Sequence, residues 1–179
     1  MLYNTPRAAS IYSKSDDCVA WVLDRETFNN IVKEASIKRR NRNKSFLSSV
    51  VILKDLNENE LNQLVEAVKE EEVLANQIII NQGDVGNKFF LLEKGQAKAT
   101  KTFEDGITEE VLNYKEGDYF GELAFIFNEP RAANVKTVTD CTFLTLDKEC
   151  FKRLLGPIEK VLQKKSESYK KSSNKDSLV

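Results

Sequence analysis

The tetrapeptide Pro-Arg-Ala-Ala occurs twice, at residues 6–9 and 130–133, and the likeness extends well beyond it. Laid side by side, "YNTPRAASIYSKSDDCVAWVLDRETF" (3–28) and "FNEPRAANVKTVTDCTFLTLDKECF" (127–151) match at many points, with one residue of slack. Asn4 answers Asn128, Asp17-Cys18 answers Asp140-Cys141, Leu23-Asp24-Arg25 answers Leu146-Asp147-Lys148, and Phe28 answers Phe151. An internal repeat constrains architecture more than any local propensity, because both copies are drawn toward the same supersecondary unit. The stretch ahead of the second copy, from about Phe46 to Asn128, has no counterpart ahead of the first. The chain therefore reads as the tail of one domain, a connector, and one complete domain.

The complete domain has a legible plan. "NENELNQLVEAVKEEEV" carries Leu61, Leu64, Val65 and Val68 at helical spacing. After it the period changes to short β-rich runs punctuated at Gly83, Gly86, Gly95 and Asp105-Gly106, the last a hairpin signal between "KATKTF" and "ITEEVLNY". Two more strands are expected at about 132–138 and 142–147. Asp147 is placed to cap a helix carrying Phe151, Leu154 and Leu155 and closed by Gly156-Pro157. "IEKVLQKKSESYKK" follows as a final amphipathic helix, and "SSNKDSLV" as a loose tail. In the first copy Asp24 starts a similar helix, continuing into a long connector. The expected class is α+β, a jelly-roll-like antiparallel β-barrel with flanking helices.

Composition narrows the chemistry. Of 179 residues none is histidine, which removes Ser-His and Cys-His nucleophile pairs and imidazole metal ligands, so a binding protein is expected rather than an enzyme. Cys18, Cys141 and Cys150 form no CxxC pair, so neither a disulfide framework nor a zinc site is expected, and no metal. A net charge of −1 speaks against a general nucleic-acid surface. The basic run 38–44 reads first as a solvated helix face and second as a docking surface for an acidic partner. No apolar run nears the ~20 residues of a membrane span, and residues 1–10 lack the apolar core of a secretion signal, so a cytoplasmic protein is expected.

The chemistry concentrates in "FGELAFIFNEPRAANV". Gly121 precedes a segment able to make one or two helical turns, and a glycine there lets backbone N–H groups approach an anion closely. Arg131 can clamp a phosphate with two parallel hydrogen bonds, and the small Ala132 and Ala133 leave the strand's own amides accessible. Glu122 would repel that anion unless it accepts a hydrogen bond from something else, for which a sugar hydroxyl is the natural donor. Phosphate and ribose together point to a nucleotide. Taken singly, the same residues have plainer readings: an arginine after a proline at a strand start is more often a solvated charge, and Gly-Glu a common turn pair.

"GDYFGELAFIFNEPRAANV" resembles the phosphate-binding cassette of cyclic nucleotide-binding domains, and the whole arrangement, with "LLGP" near its end, is similar to regulatory subunits of cyclic AMP-dependent protein kinase. The resemblance implies that Arg131 binds the cyclic phosphate with the backbone amides of Ala124 and Ala133. It implies that Glu122 holds the ribose 2′-hydroxyl, that Gly121 admits the ribose, and that Leu123 and Ala132 complete the cassette. Tyr169 stands where a capping tyrosine stacks on adenine; packing on the barrel is its alternative. Ala132 replaces the Thr or Ser of cyclic GMP-selective relatives, which favours cyclic AMP. Asn87 stands where relatives often carry Asp beside the arginine, Asn59 where a tryptophan caps the preceding domain's nucleotide, and "KRRNRNKSF" where a more apolar segment docks the kinase.

The implied function is a non-catalytic regulatory module. It would bind cyclic AMP as an allosteric ligand and release a protein kinase catalytic subunit, with no nucleic-acid or membrane partner. Its alternatives are a fragment of a cyclic GMP-dependent kinase or a non-signalling jelly-roll ligand-binding domain. The expected organisation is a truncated first nucleotide domain and connector over 1–45, the complete domain over 46–170 and a flexible tail over 171–179.

Overall fold

The computed structural model describes residues 9–156 and Leu162. The first tetrapeptide up to Ala8, Tyr169, the rest of the expected final helix and the tail at 171–179 lie outside the described residues. The chain divides into two units, residues 1–42 and 43–179, and the boundary falls inside the first helix.

In the first unit residues 9–24 form no helix or strand, and their side chains are exposed. Helix α1 (Arg25–Ser49) begins where expected: Asp24 Oδ1 accepts from the Thr27 amide at 2.9 Å, and the Thr27 hydroxyl donates to Asp24 Oδ2 at 2.6 Å. The run 38–42 is exposed, as a solvated face should be.

The second unit holds the domain. After the end of α1 and a 3₁₀ turn (Val51–Leu53), helix α2 (Glu58–Ala67) opens on a capping box in which Asn57 and Glu60 satisfy each other's backbone amides. The helical pattern runs through to Val73, yet the helix stops at Ala67, and Lys69–Val73 is strand β1. Pairing decides this: Lys69 to Val73 lie antiparallel against Thr145 to Cys141, a long-range ladder that outweighs the helical preference of three consecutive glutamates.

There follow β2 (Ile78–Ile80), β3 (Lys88–Lys94), β4 (Ala97–Thr102), β5 (Thr108–Tyr114), β6 (Tyr119–Phe120), the short α3 (Leu123–Ile126), β7 (Asn134–Thr137), β8 (Cys141–Asp147) and α4 (Lys148–Leu155). The strands build two four-stranded antiparallel sheets, β1-β8-β3-β6 and β2-β7-β4-β5, which do not close into a continuous barrel. The Asp105-Gly106 hairpin forms between β4 and β5, with Gly106 at φ +83° and Phe103 bonded to Ile107. Asp147 caps α4 by accepting from the Cys150 amide at 2.8 Å.

Sheet β1-β8-β3-β6 is covered on both faces, which is why "FFLL" in β3 runs continuously apolar instead of alternating. Phe90 and Leu92, with Phe143 of β8 and Phe120 of β6, face Ile80, Ala97, Ala99 and Val135 of the other sheet. Phe89, Leu91, Leu144 and Leu146 face the helices, where Leu47, Leu64, Val65, Phe125, Phe151, Leu154, Leu155 and Leu162 complete the larger core. Among the described residues no helix is long and apolar enough to cross a membrane.

Candidate functional site

The site is built around one buried arginine. Arg131 follows Pro130 in the link from α3 to β7, and only 7% of it is exposed, so it is not a solvated surface charge. Burying a guanidinium is costly unless its N–H groups are matched. Here Nη1 donates to the Gly121 carbonyl at 2.9 Å and Nη2 to the Lys88 carbonyl at 2.5 Å. The backbone is pinned too: Arg131 N donates to the Asp84 carbonyl and Gly83 N to the Arg131 carbonyl, both at 2.9 Å. Burial lowers the arginine's pKa, while the charges of Glu122 and Asp84 pull it back up.

Two glycines make room for it. Gly121, at φ +92°, adopts a conformation that side chains resist, and a Cβ there would lie 2.5 Å from Arg131 Nη1. A Cβ on Gly86 would lie 2.9 Å from Arg131 Nε. The sequence marked Gly86 as a turn; its closer constraint is the Ala124 side chain, which a Cβ there would overlap, with the arginine just beyond.

Glu122 is 6% exposed and sits at the start of α3, its carbonyl accepting from the amides of Phe125 and Ile126. Burial pushes its carboxyl up to about 7, against the opposing pull of its own amide and of Arg131. A carboxyl so buried is stabilised by a proton or by a hydrogen-bond donor. Ala124 is buried beneath Arg131, Leu123 and Ala133 are half-buried, and Ala132 is exposed. The structure thus brings Gly121, Glu122, Leu123, Ala124, Arg131, Ala132 and Ala133 into one region, whereas Tyr169 lies outside the described residues.

Beside the arginine opens a pocket of about 250 Å³, lined by Ile79, Ile80 and Phe90 from the strands and Asp84, Asn87 and Lys88 from the β2–β3 loop and its end, among others. Asn87 is on that wall, and the guanidinium is oriented by the two carbonyls. Sequence reasoning placed Asn87 of this loop beside the arginine but missed the Lys88 carbonyl and the room left at Gly86. The three-residue step from Gly83 to Gly86 was a usable signal, read there only as punctuation.

The family model described as "Cyclic nucleotide-binding domain" matches residues 70–156, which holds every strand from β2 to β8 and the whole cassette. A Neurospora crassa protein named "cAMP-dependent protein kinase regulatory subunit" is 44% identical over 164 residues, covering 92% of this chain and 42% of its own length. Among solved structures, the regulatory domain of Toxoplasma gondii PKA with cAMP superposes with a TM-score of 0.77 at 43% identity, covering 82% of this chain and 57% of that one. A structure described as "Sp-2Cl-cAMPS bound to PKAR CBD2" gives 0.72 at 40% identity, covering 80% of this chain and 94% of that one. The chain spans about two fifths of the length of the curated relatives it matches.

Proposed function

The chain belongs to the cyclic nucleotide-binding domain family, in the branch of the cAMP-dependent protein kinase regulatory subunits, and on that premise we propose that it is a cyclic AMP-binding regulatory module of a protein kinase. The observation that carries the reading is the buried arginine held by two backbone carbonyls beside an open pocket, with the buried Glu122 carboxyl near the arginine. A cyclic phosphate replaces water around Arg131 and accepts its remaining N–H groups. The ribose 2′-hydroxyl donates to Glu122, and the backbone beside Ala124 and Ala133 meets the phosphate oxygens.

The module is not catalytic. Ligand binding shifts the helices flanking the sandwich between two arrangements of unequal ligand affinity, and a kinase catalytic subunit binds the arrangement that cyclic AMP disfavours. Residues 1–45 act as the end of a preceding nucleotide domain and its connector. The setting is cytoplasmic. The test is a calorimetric titration with cyclic AMP and cyclic GMP. A clear preference for cyclic AMP is expected, since Ala132 offers no hydroxyl to guanine. Equal or reversed affinity overturns the base assignment, and no uptake of either overturns the site.

A further inference from the structure

One wall of the pocket carries a second pair of charges that the arginine clamp does not use. Glu71 on β1 and Lys88 on β3 both line the pocket with Arg131. Lys88 Nζ donates to Glu71 Oε1 at 2.6 Å, and Thr145 Oγ1 on β8 donates to the same oxygen at 2.9 Å. Strand alternation puts Lys88 on the face of Phe90 and Leu92, and the register sets Glu71 opposite Phe143, so both side chains lie on the face turned toward the second sheet. The pair is partly exposed at the end of an otherwise apolar interior. Without Glu71, the Lys88 ammonium would be a second cation on the wall that Arg131 shares.

We propose that Glu71 sets the charge selectivity of the site: by neutralising Lys88 it matches the pocket to a singly charged phosphate diester and against a doubly charged phosphate monoester. The inference rests on the reading of this pocket as a cyclic nucleotide site. A cyclic phosphate carries one negative charge, which Arg131 answers alone. The open 5′-monophosphate of the same nucleoside carries close to two above about pH 7, because its second pKa is about 6. Its extra charge calls for a second cation, and Lys88 is the one at hand. Burial pushes the Glu71 carboxyl up, but the bonds from Lys88 and Thr145 outweigh it and hold the group below its ordinary value, so it stays charged. Asp84, on the same wall, adds a further carboxylate facing the arginine.

The test compares cyclic AMP with 5′-AMP by calorimetry at about pH 7.5 and low salt, in the unaltered chain, Glu71→Gln, Lys88→Met and the double variant. Glu71→Gln is expected to narrow the preference for cyclic AMP about tenfold, chiefly by strengthening 5′-AMP. Lys88→Met is expected to widen it, and the double variant to return it near the starting value. A preference unmoved in both single variants overturns the proposal. So does an equal weakening of both nucleotides, which is what a merely structural brace would give. Should Glu71→Gln fail to fold, Thr145→Val removes one of the two bonds steadying the carboxylate and must shift the preference the same way by a smaller factor; no shift overturns the proposal. An unaltered chain that takes up no cyclic AMP contradicts the reading of the site. One that binds it with a preference no variant moves contradicts the charge selection alone.

Discussion

Trp21 and Leu144 hold equivalent places in the two copies of the repeat, three residues past the matched cysteines Cys18 and Cys141, yet the tryptophan is wholly exposed and the leucine wholly buried. Their neighbours repeat the contrast. Residues 9–24 form no strand, while their counterparts are β7 and β8, each paired on both sides. The helix caps at the ends of the two copies nevertheless agree: Asp24 accepts from Thr27 as Asp147 accepts from Cys150. A cap closes within four residues, so either copy can make it. A strand is decided by partners far off in sequence, and β7 and β8 find theirs in β1, β2, β3 and β4.

The largest effects should separate the copies most cleanly. Leu144 sits between β1 and β3 at zero exposure, so Leu144→Ala should cost about 2–5 kcal/mol in urea unfolding followed by circular dichroism. Trp21→Ala should move the same midpoint by no more than about 0.5 kcal/mol. A comparable loss at Trp21 would mean that residues 9–24 share in the fold of this chain, and the contrast would break.

The same division between local and long-range structure governs what could be read in advance. The Asp147 and Asp24 caps, the Asp105-Gly106 hairpin and the glycine before α3 were legible because each is decided by residues a few places apart. The helical pattern carried past Ala67 because "KEEEV" contains nothing local that forbids a helix; the strand comes from its pairing with β8, far along the chain. In the site, Arg131, Glu122 and Gly121 stood out by chemistry. Gly86 and the carbonyl of Lys88 could not, since a backbone oxygen has no residue type to betray it and Gly86 matters only once Ala124 and Arg131 lie against it. Glu71 looked like one more helical glutamate until its strand turned it toward the pocket.

Glu122 sharpens the comparison through pH. Its carboxyl is raised in the folded state from 4.5 to about 7, chiefly by burial. The folded form thus prefers the proton, and this contribution to stability is complete below about pH 4.5 and is lost as pH rises to about 7. The loss is on the order of 3 kcal/mol. Ligand binding should run the other way: a ribose hydroxyl donates to the ionised carboxylate, so cyclic AMP affinity should fall as pH drops below about 7. Glu122→Gln should flatten both profiles, read by thermal melts and titrations from pH 5 to 8. An unchanged pH dependence in the variant would assign it to another group.

Arg131→Lys should weaken cyclic AMP by about 2 kcal/mol, roughly thirtyfold, because an ammonium cannot keep the bonds to the Gly121 and Lys88 carbonyls and still present parallel donors to a phosphate. Arg7→Lys in the first copy should leave the same titration unchanged. Equal losses at both would mean that both copies of the tetrapeptide serve one ligand.

The smallest effect tests the part of the comparison in which the copies agree. Asp24 and Asp147 are both exposed carboxylates held below their ordinary range, Asp24 by the Thr27 hydroxyl and amide and Asp147 by the Cys150 amide. Replacing either with alanine removes the acceptor from the first turn of its helix. The two helices differ in what they bury: α4 presses Phe151, Leu154 and Leu155 into the larger core, whereas the first turns of α1 bury nothing. Asp147→Ala should therefore lower the cooperative melting midpoint slightly, since α4 cannot fray without exposing that core. Asp24→Ala should reduce helical signal before the transition and leave the midpoint where it was, because an unsupported helix end melts alone. Amide exchange at Thr27 and Cys150 would report the two losses separately, and a midpoint shift in Asp24→Ala equal to that of Asp147→Ala would show that the start of α1 unfolds together with the sandwich.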